Sequence, residues 1–217
     1  MRFIEVLDTT LRDGEQAEGV SLGHAEKLTI ASRLLKDVKV DRIEVASART
    51  SEGERVAVEE IIRWAEAEDF TDRIEILGFV DSKASIDWAR SVGVQVINLL
   101  TKGSLLHCQE QLRRTPQQHR DDIRKTIEYG TKHGVKFNVY LEDWSGGMHD
   151  SPEYVMDQIQ ALVELSANRI MLCDTLGILN PMLTRRYVSE ITAAFPETRF
   201  DYHGHNDYGL ATANTLE

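Results

Sequence analysis

VKFNVYLEDW, residues 135–144, is a strand with two unlike faces. Side chains alternate along a strand, so Asn138, Tyr140 and Glu142 share one side and Val135, Phe137, Val139 and Leu141 the other. The apolar set suits a covering layer of helices. The polar set is then expected to face the interior of a barrel, with Glu142 at its top.

Outward from this segment the same short pattern recurs, at about residues 3–7, 41–46, 73–80, 94–100, 168–173 and 198–203. Amphipathic stretches at about 24–37, 52–68, 82–92, 104–133 (interrupted near Thr115-Pro116), 151–166 and 181–194 separate the strands. Helix starts are marked by Ser51 with Glu54, Ser82 with Ser85, Ser151-Pro152-Glu153 and Asn180-Pro181. Strands joined through helices imply a parallel sheet. A doubly wound sheet and a closed (β/α)8 barrel both fit that alternation. The barrel is favoured because polar residues follow nearly every strand, whereas a doubly wound sheet gathers them at one switch point. The expectation is an α/β chain, a (β/α)8 TIM barrel truncated after about seven strands. Residues 1–217 would form one incomplete catalytic domain, lacking the last strand and helix and any C-terminal regulatory domain.

Composition narrows the function classes. No apolar run approaches the ~18 residues of a membrane span, and MRFIEVLD opens on a strand pattern without a signal-peptide core. A cytoplasmic protein is the expectation. The formal net charge of −11 disfavours a nucleic-acid partner, because phosphates would be repelled. Cys108 and Cys173 lie far apart and are expected as buried thiols rather than a disulfide.

Three strand ends carry the chemistry. In DYHGHND, residues 201–207, alternation sends Asp201, His203 and His205 to one side. Two imidazoles on one face hold a divalent metal if a carboxylate joins them, although a pair of hydrogen-bonded surface histidines has the same spacing. In DTTLRDGEQ, residues 8–16, Asp13 is that carboxylate, since the first and seventh strands of a closed barrel lie one position short of adjacent. Mixed N/O ligation suits Mg, Mn, Zn or Co. Arg12 beside it suits a substrate anion or carbonyl. Glu142 is placed to act as a general base or to hold one. After strand six, Asp174 and Thr175 in CDTLG lie where backbone N–H groups and a hydroxyl can grip a carboxylate. Ser47, Arg49, Asn98, Thr101 and Lys102 crowd the same rim. By parity Leu77 pairs with Phe79 and Leu100 with Asn98. With Tyr140 they form an apolar wall that accepts a short alkyl group and offers no partner to a second carboxylate. A short monocarboxylic keto acid fits better than 2-oxoglutarate.

LDTTLRDGEQ, CDTLG and HGHNDYGLA together resemble the DRE-TIM metallolyase family, in its 2-isopropylmalate, homocitrate and citramalate synthase branch. DRIEVASARTSEGE, INLLTKGS and NVYLEDWS are most similar to the (R)-citramalate synthases of that branch. The resemblance implies a divalent metal and a Claisen-type condensation of acetyl-CoA with a short 2-keto acid. Pyruvate is the expected keto acid, giving (R)-citramalate for branched-chain amino-acid biosynthesis. The alternatives are 2-isopropylmalate synthase acting on 2-oxoisovalerate and, further off, 3-hydroxy-3-methylglutaryl-CoA lyase. It also implies Asp13, His203 and His205 as metal ligands, Arg12 on the keto oxygen, Thr175 on the carboxylate and Glu142 assisting deprotonation. Leu77, Leu100 and Tyr140 would contact the alkyl group. Small-molecule substrates and a homodimer of the full-length protein complete the expectation. Cys173 stands where relatives carry a proline, glycine or other small residue, and is read as core packing.

Overall fold

The computed structural model describes residues 4–217. They divide into two compact units, residues 4–98 with 130–136 and residues 99–129 with 137–217.

The first unit holds strands β1 (Leu7–Asp8), β2 (Arg42–Ser47) and β3 (Ile74–Phe79), with helices α1 (His24–Arg33), α2 (Glu52–Ala67) and α3 (Ala84–Ser91). The three strands pair in parallel, with Leu7 opposite Arg42 and Ile43 opposite Ile74. Ile43, Val45, Ile74 and Ile76 are fully buried, as are Val58, Ile61 and Ala65 of α2. Ser51 accepts the N–H of Glu54 at 3.1 Å and starts α2 as expected. The start of α3 differs: Asp81, not Ser82, accepts the Ser85 N–H, because Ser82 has φ of 66° and its side chain does not cap.

β4 (Val96–Lys102) runs from the first unit into the second, which carries α4 (Pro116–Lys132), β5 (Lys136–Glu142), α5 (Trp144–Asp150), α6 (Pro152–Glu164), β6 (Arg169–Asp174), α7 (Pro181–Ala194), β7 (Phe200–Gly204) and α8 (Ala211–Leu216). β5, β6 and β7 pair in parallel. Sheet order follows chain order from β1 to β7. Seven parallel strands alternating with helices make the fold an α/β, truncated (β/α)8 TIM barrel.

β5 has the two faces its sequence requires. Phe137, Val139 and Leu141 are buried on one. On the other, Asn138 registers with Arg169 and Tyr140 with Met171, while Met171 registers with Asp201 and Cys173 with His203. Polar groups on this face are paired: Asn168 donates to Asn138 at 2.7 Å and Arg169 to Asp201 at 3.1 Å. In the first unit Arg42 donates likewise to Glu75 at 3.0 Å. Burial pushes the Glu75 carboxyl up, and Arg42 opposes that.

Two elements depart from the sequence expectation. The first strand is only Leu7–Asp8; Phe3 lies outside the described residues, and Ile4 and Val6 are exposed. The Val6 N–H donates to the Asp41 carboxylate at 2.7 Å, so a side chain takes the place of a ladder partner. α5 was not expected, because WSGGMHD has no helical apolar period. It forms because a Cβ on Gly147 would collide with the Gly103 carbonyl, so glycine lets the helix lie against the end of β4.

Candidate active site

In the first unit, the turn after β1 answers where the polar groups of DTTLRDGEQ go. The Thr9 carbonyl accepts the N–H groups of Arg12, Asp13 and Gly14 within 3.1 Å. Asp8 accepts the Thr10 N–H at 2.9 Å. Arg12 donates Nε to Glu44 Oε2 at 2.5 Å and Nη1 to Asp13 Oδ1 at 3.1 Å. Glu44 is fully buried and also accepts Asn98 Nδ2 at 2.7 Å. Below the turn, Lys27 of α1 is 1% exposed. Its Nζ donates to the Leu11 carbonyl at 3.2 Å and pairs with Glu15 and Glu54, each at 2.5 Å.

An open cavity of about 820 Å³ in this unit reaches Arg12 and is lined also by Leu11, Gln16, Ser47, Thr50 and Ser51. Leu77 is buried on β3, whereas Phe79 is 38% exposed at the strand end. Arg49 is engaged by Asp81 at 3.0 Å.

In the second unit, His203 and His205 have ring centroids 5.2 Å apart. The Tyr140 ring meets His203 edge-on at 5.7 Å. The loop after β6 supports this pair: the Asp174 carbonyl accepts the His205 N–H at 3.1 Å. Gly177, with φ of 60°, lies where a Cβ would stand 2.9 Å from the His205 carbonyl. Only a residue without a side chain suits both the backbone and the space. The Asp174 carboxylate itself is fully buried and accepts the N–H groups of Ile178 and Leu179 at 3.0 and 3.1 Å. Its role is to shape the loop rather than to meet a ligand. Thr175 Oγ1 accepts the Asp143 N–H at 2.8 Å, which orients the hydroxyl and leaves its proton to donate elsewhere.

The other end of this unit's site is built on β4. Lys102 Nζ donates to Glu142 Oε2 and, at 3.0 Å, to Gln111 Oε1. Thr101 turns away and donates to the Tyr140 carbonyl at 2.7 Å. Leu100 is half-buried on the same strand. His119 Nε2 accepts the Lys102 N–H at 3.2 Å, and burial lowers its pKa to about 4. Both cysteines are buried, Cys108 donating to the Arg114 carbonyl and Cys173 to that of Met171.

Of the expected site residues, the first unit carries Arg12, Asp13 and Leu77, and the second Leu100, Tyr140, Glu142, Thr175, His203 and His205. Sequence reasoning missed Glu44, Lys27 and the partner of Lys102. The signals existed: Glu44 interrupts Ile43 and Val45 in a buried strand, and Lys27 shares a helix face with Ala31 and Leu35. A charge at a core position implies a specific partner.

The profile of the family described as HMGL-like matches residues 3–217. The 2-isopropylmalate synthase of Saccharolobus solfataricus is 34% identical over 215 residues, covering 98% of this chain and 53% of that protein. The (R)-citramalate synthase of Methanocaldococcus jannaschii is 33% identical over 214 residues, covering 98% of this chain and 41% of that protein. The chain thus spans about half the length of these relatives. Among solved structures, the HMG-CoA lyase of Bacillus subtilis superposes with a TM-score of 0.76 at 20% identity, covering 98% of this chain and 72% of that one. That likeness shows the fold. Among the described residues no helix is long and apolar enough to cross a membrane.

Proposed function

Since the chain belongs to the HMGL-like family, we propose that the whole protein is a metal-dependent acyltransferase condensing acetyl-CoA with a short 2-keto acid, pyruvate first. The observation that carries this reading is the pair of imidazoles, His203 and His205, beside the Tyr140 ring at the end of β7. With Asp13 they make two nitrogen donors and one oxygen donor. That set fits a hard-to-borderline divalent ion such as Mn, Mg, Zn or Co. Such an ion, when bound, supplies Lewis-acid polarisation of the keto group.

The chain's own residues then have separate tasks. Arg12, held by Glu44, neutralises charge developing on the keto oxygen. Thr175, its hydroxyl acceptor already committed to Asp143, donates to the keto acid's carboxylate. Glu142 takes a proton from the acetyl methyl, a weak acid that loses it only beside a positioned electrophile. Leu77, Leu100 and Tyr140 enclose a methyl or similarly short alkyl group, and apolar walls disfavour a second carboxylate there. Hydrolysis of the thioester makes the condensation effectively irreversible. In this reading residues 1–217 belong to the catalytic barrel domain of a cytoplasmic homodimer that acts on small molecules.

CoA release from acetyl-CoA, measured on the whole protein with Mn²⁺ and a panel of 2-keto acids, tests the reading. Pyruvate is expected to turn over fastest. Faster turnover with 2-oxoisovalerate would make the protein a 2-isopropylmalate synthase instead, and cleavage of 3-hydroxy-3-methylglutaryl-CoA would make it a lyase.

A further inference from the structure

Lys102 has more structure built around it than a rim lysine needs. Its N–H is fixed by His119 Nε2 at 3.2 Å and its carbonyl by the Tyr154 hydroxyl at 3.2 Å. The next residue, Gly103, donates its N–H to the Glu142 carbonyl at 2.6 Å. No side chain fits there, because a Cβ on Gly103 would stand 2.9 Å from backbone atoms of Leu141 and Trp144. The ends of β4 and β5 are therefore locked together at the positions carrying Lys102 and Glu142. Gln111 takes a second N–H of the ammonium, which fixes the side chain as well as the backbone. The Lys102 side chain is 12% exposed and that of Glu142 24% exposed, so their pairing is only partly screened by water.

We propose that Lys102 is a positioning residue for Glu142 and that its charge stabilises the enolate formed during deprotonation. The inference rests on the reading of Glu142 as the base. Before proton transfer the carboxylate and ammonium together are neutral, and so is the thioester. The C–H bond of the acetyl methyl then breaks and an O–H bond forms on Glu142. The electron pair left behind delocalises onto the thioester oxygen. Glu142 is now neutral, so the Lys102 ammonium is left as an unpaired positive charge beside the new anion. Charge appears where a fixed counter-charge already waits, which lowers the barrier without reorganisation. Gln111 keeps the ammonium from following the departing negative charge.

The test uses the whole protein with Mn²⁺ and its preferred keto acid. Lys102→Gln keeps a hydrogen-bond donor but removes the charge, and Lys102→Arg keeps the charge. Lys102→Gln is expected to lower kcat by roughly 30- to 100-fold while the KM for the keto acid stays within about threefold. Lys102→Arg is expected to recover kcat to within roughly tenfold of wild type. In the Glu142→Gln background, adding Lys102→Gln is expected to cost no more than about a further twofold, because the two act as one unit. Circular dichroism on each variant separates these effects from misfolding. Unchanged kcat in Lys102→Gln, no recovery in Lys102→Arg, or multiplying losses in the double variant would overturn the assignment while leaving the synthase reading intact. Wild-type protein that releases no CoA with any keto acid would overturn both.

Discussion

Arg12 and Glu44 meet at 2.5 Å, Nε to Oε2, at the junction of the β1 turn and β2, and Glu44 has no exposure to solvent. A guanidinium aimed by a buried carboxylate keeps one orientation, which matters for a group meant to meet developing charge. Glu44→Ala takes this partner from a guanidinium whose side chain is 10% exposed and keeps Asp13 beside it, and is expected to cost about 3 kcal/mol of stability. Urea unfolding checks that value. Glu44→Gln, which keeps an acceptor and the volume, is expected to fold and to lose activity chiefly through kcat.

Lys27 plays the corresponding part beneath the turn. It joins the Leu11 carbonyl to Glu15 and Glu54 from a position with 1% exposure. Lys27→Met fills the volume but leaves two carboxylates facing each other without their cation. The expected result is a loss of about 3 kcal/mol in urea unfolding, with Lys27→Arg losing less.

His119 makes the stability of this region sensitive to acid. Its folded pKa is about 4, lowered mainly by burial, against an ordinary value of 6.5. Above pH 6.5 the ring is neutral whether the chain is folded or not, and the Lys102 N–H keeps its acceptor. As pH falls from 6.5 to 4, the unfolded chain takes up a proton that the folded chain refuses, so stability falls through that window and levels off below it. The expected contribution is on the order of 3 kcal/mol. Denaturant midpoints across this range are expected to show a shallower slope in His119→Gln, whose amide oxygen can still accept from Lys102.

Gly177 connects the β6 loop to His205. Ala in its place would adopt a strained φ and press against the His205 carbonyl. We expect Gly177→Ala to cost roughly 1–2 kcal/mol of stability and to weaken Mn²⁺ binding by about tenfold, by moving a ligand rather than removing it. Electron paramagnetic resonance of free Mn²⁺ reads the second quantity directly.

Much of this was legible in the sequence because both signals are periodic. Alternation in VKFNVYLEDW assigned the two faces of β5, and alternation in DYHGHND put His203 and His205 on one side. Asn180 and Ser51 marked helix starts that the structure reproduces. What escaped depends on contacts between residues distant in the chain. Glu44 lies 32 positions from Arg12, and Lys102 lies 40 positions from Glu142. A local pattern shows that a charge such as Glu44 needs a partner, but not which distant residue supplies it. α5 escaped for a different reason: Gly147 answers to close packing against Gly103 and Gly146 to the Asp143 carboxylate, and that packing overrides helix propensity. The strand end CDTLG suggested backbone N–H groups and a hydroxyl at Asp174 and Thr175, but gave no sign that the Asp174 carboxylate accepts the N–H groups of its own loop.

Mn²⁺ titration of the whole, chelator-stripped protein, beside Asp13→Ala and His203→Ala, tests the account most directly. The account predicts one Mn²⁺ site per chain in the wild type, with CoA release from acetyl-CoA and pyruvate that rises with its occupancy. Each variant is predicted to lose the site and the activity together while remaining folded. Undiminished Mn²⁺ affinity and turnover in Asp13→Ala would contradict it.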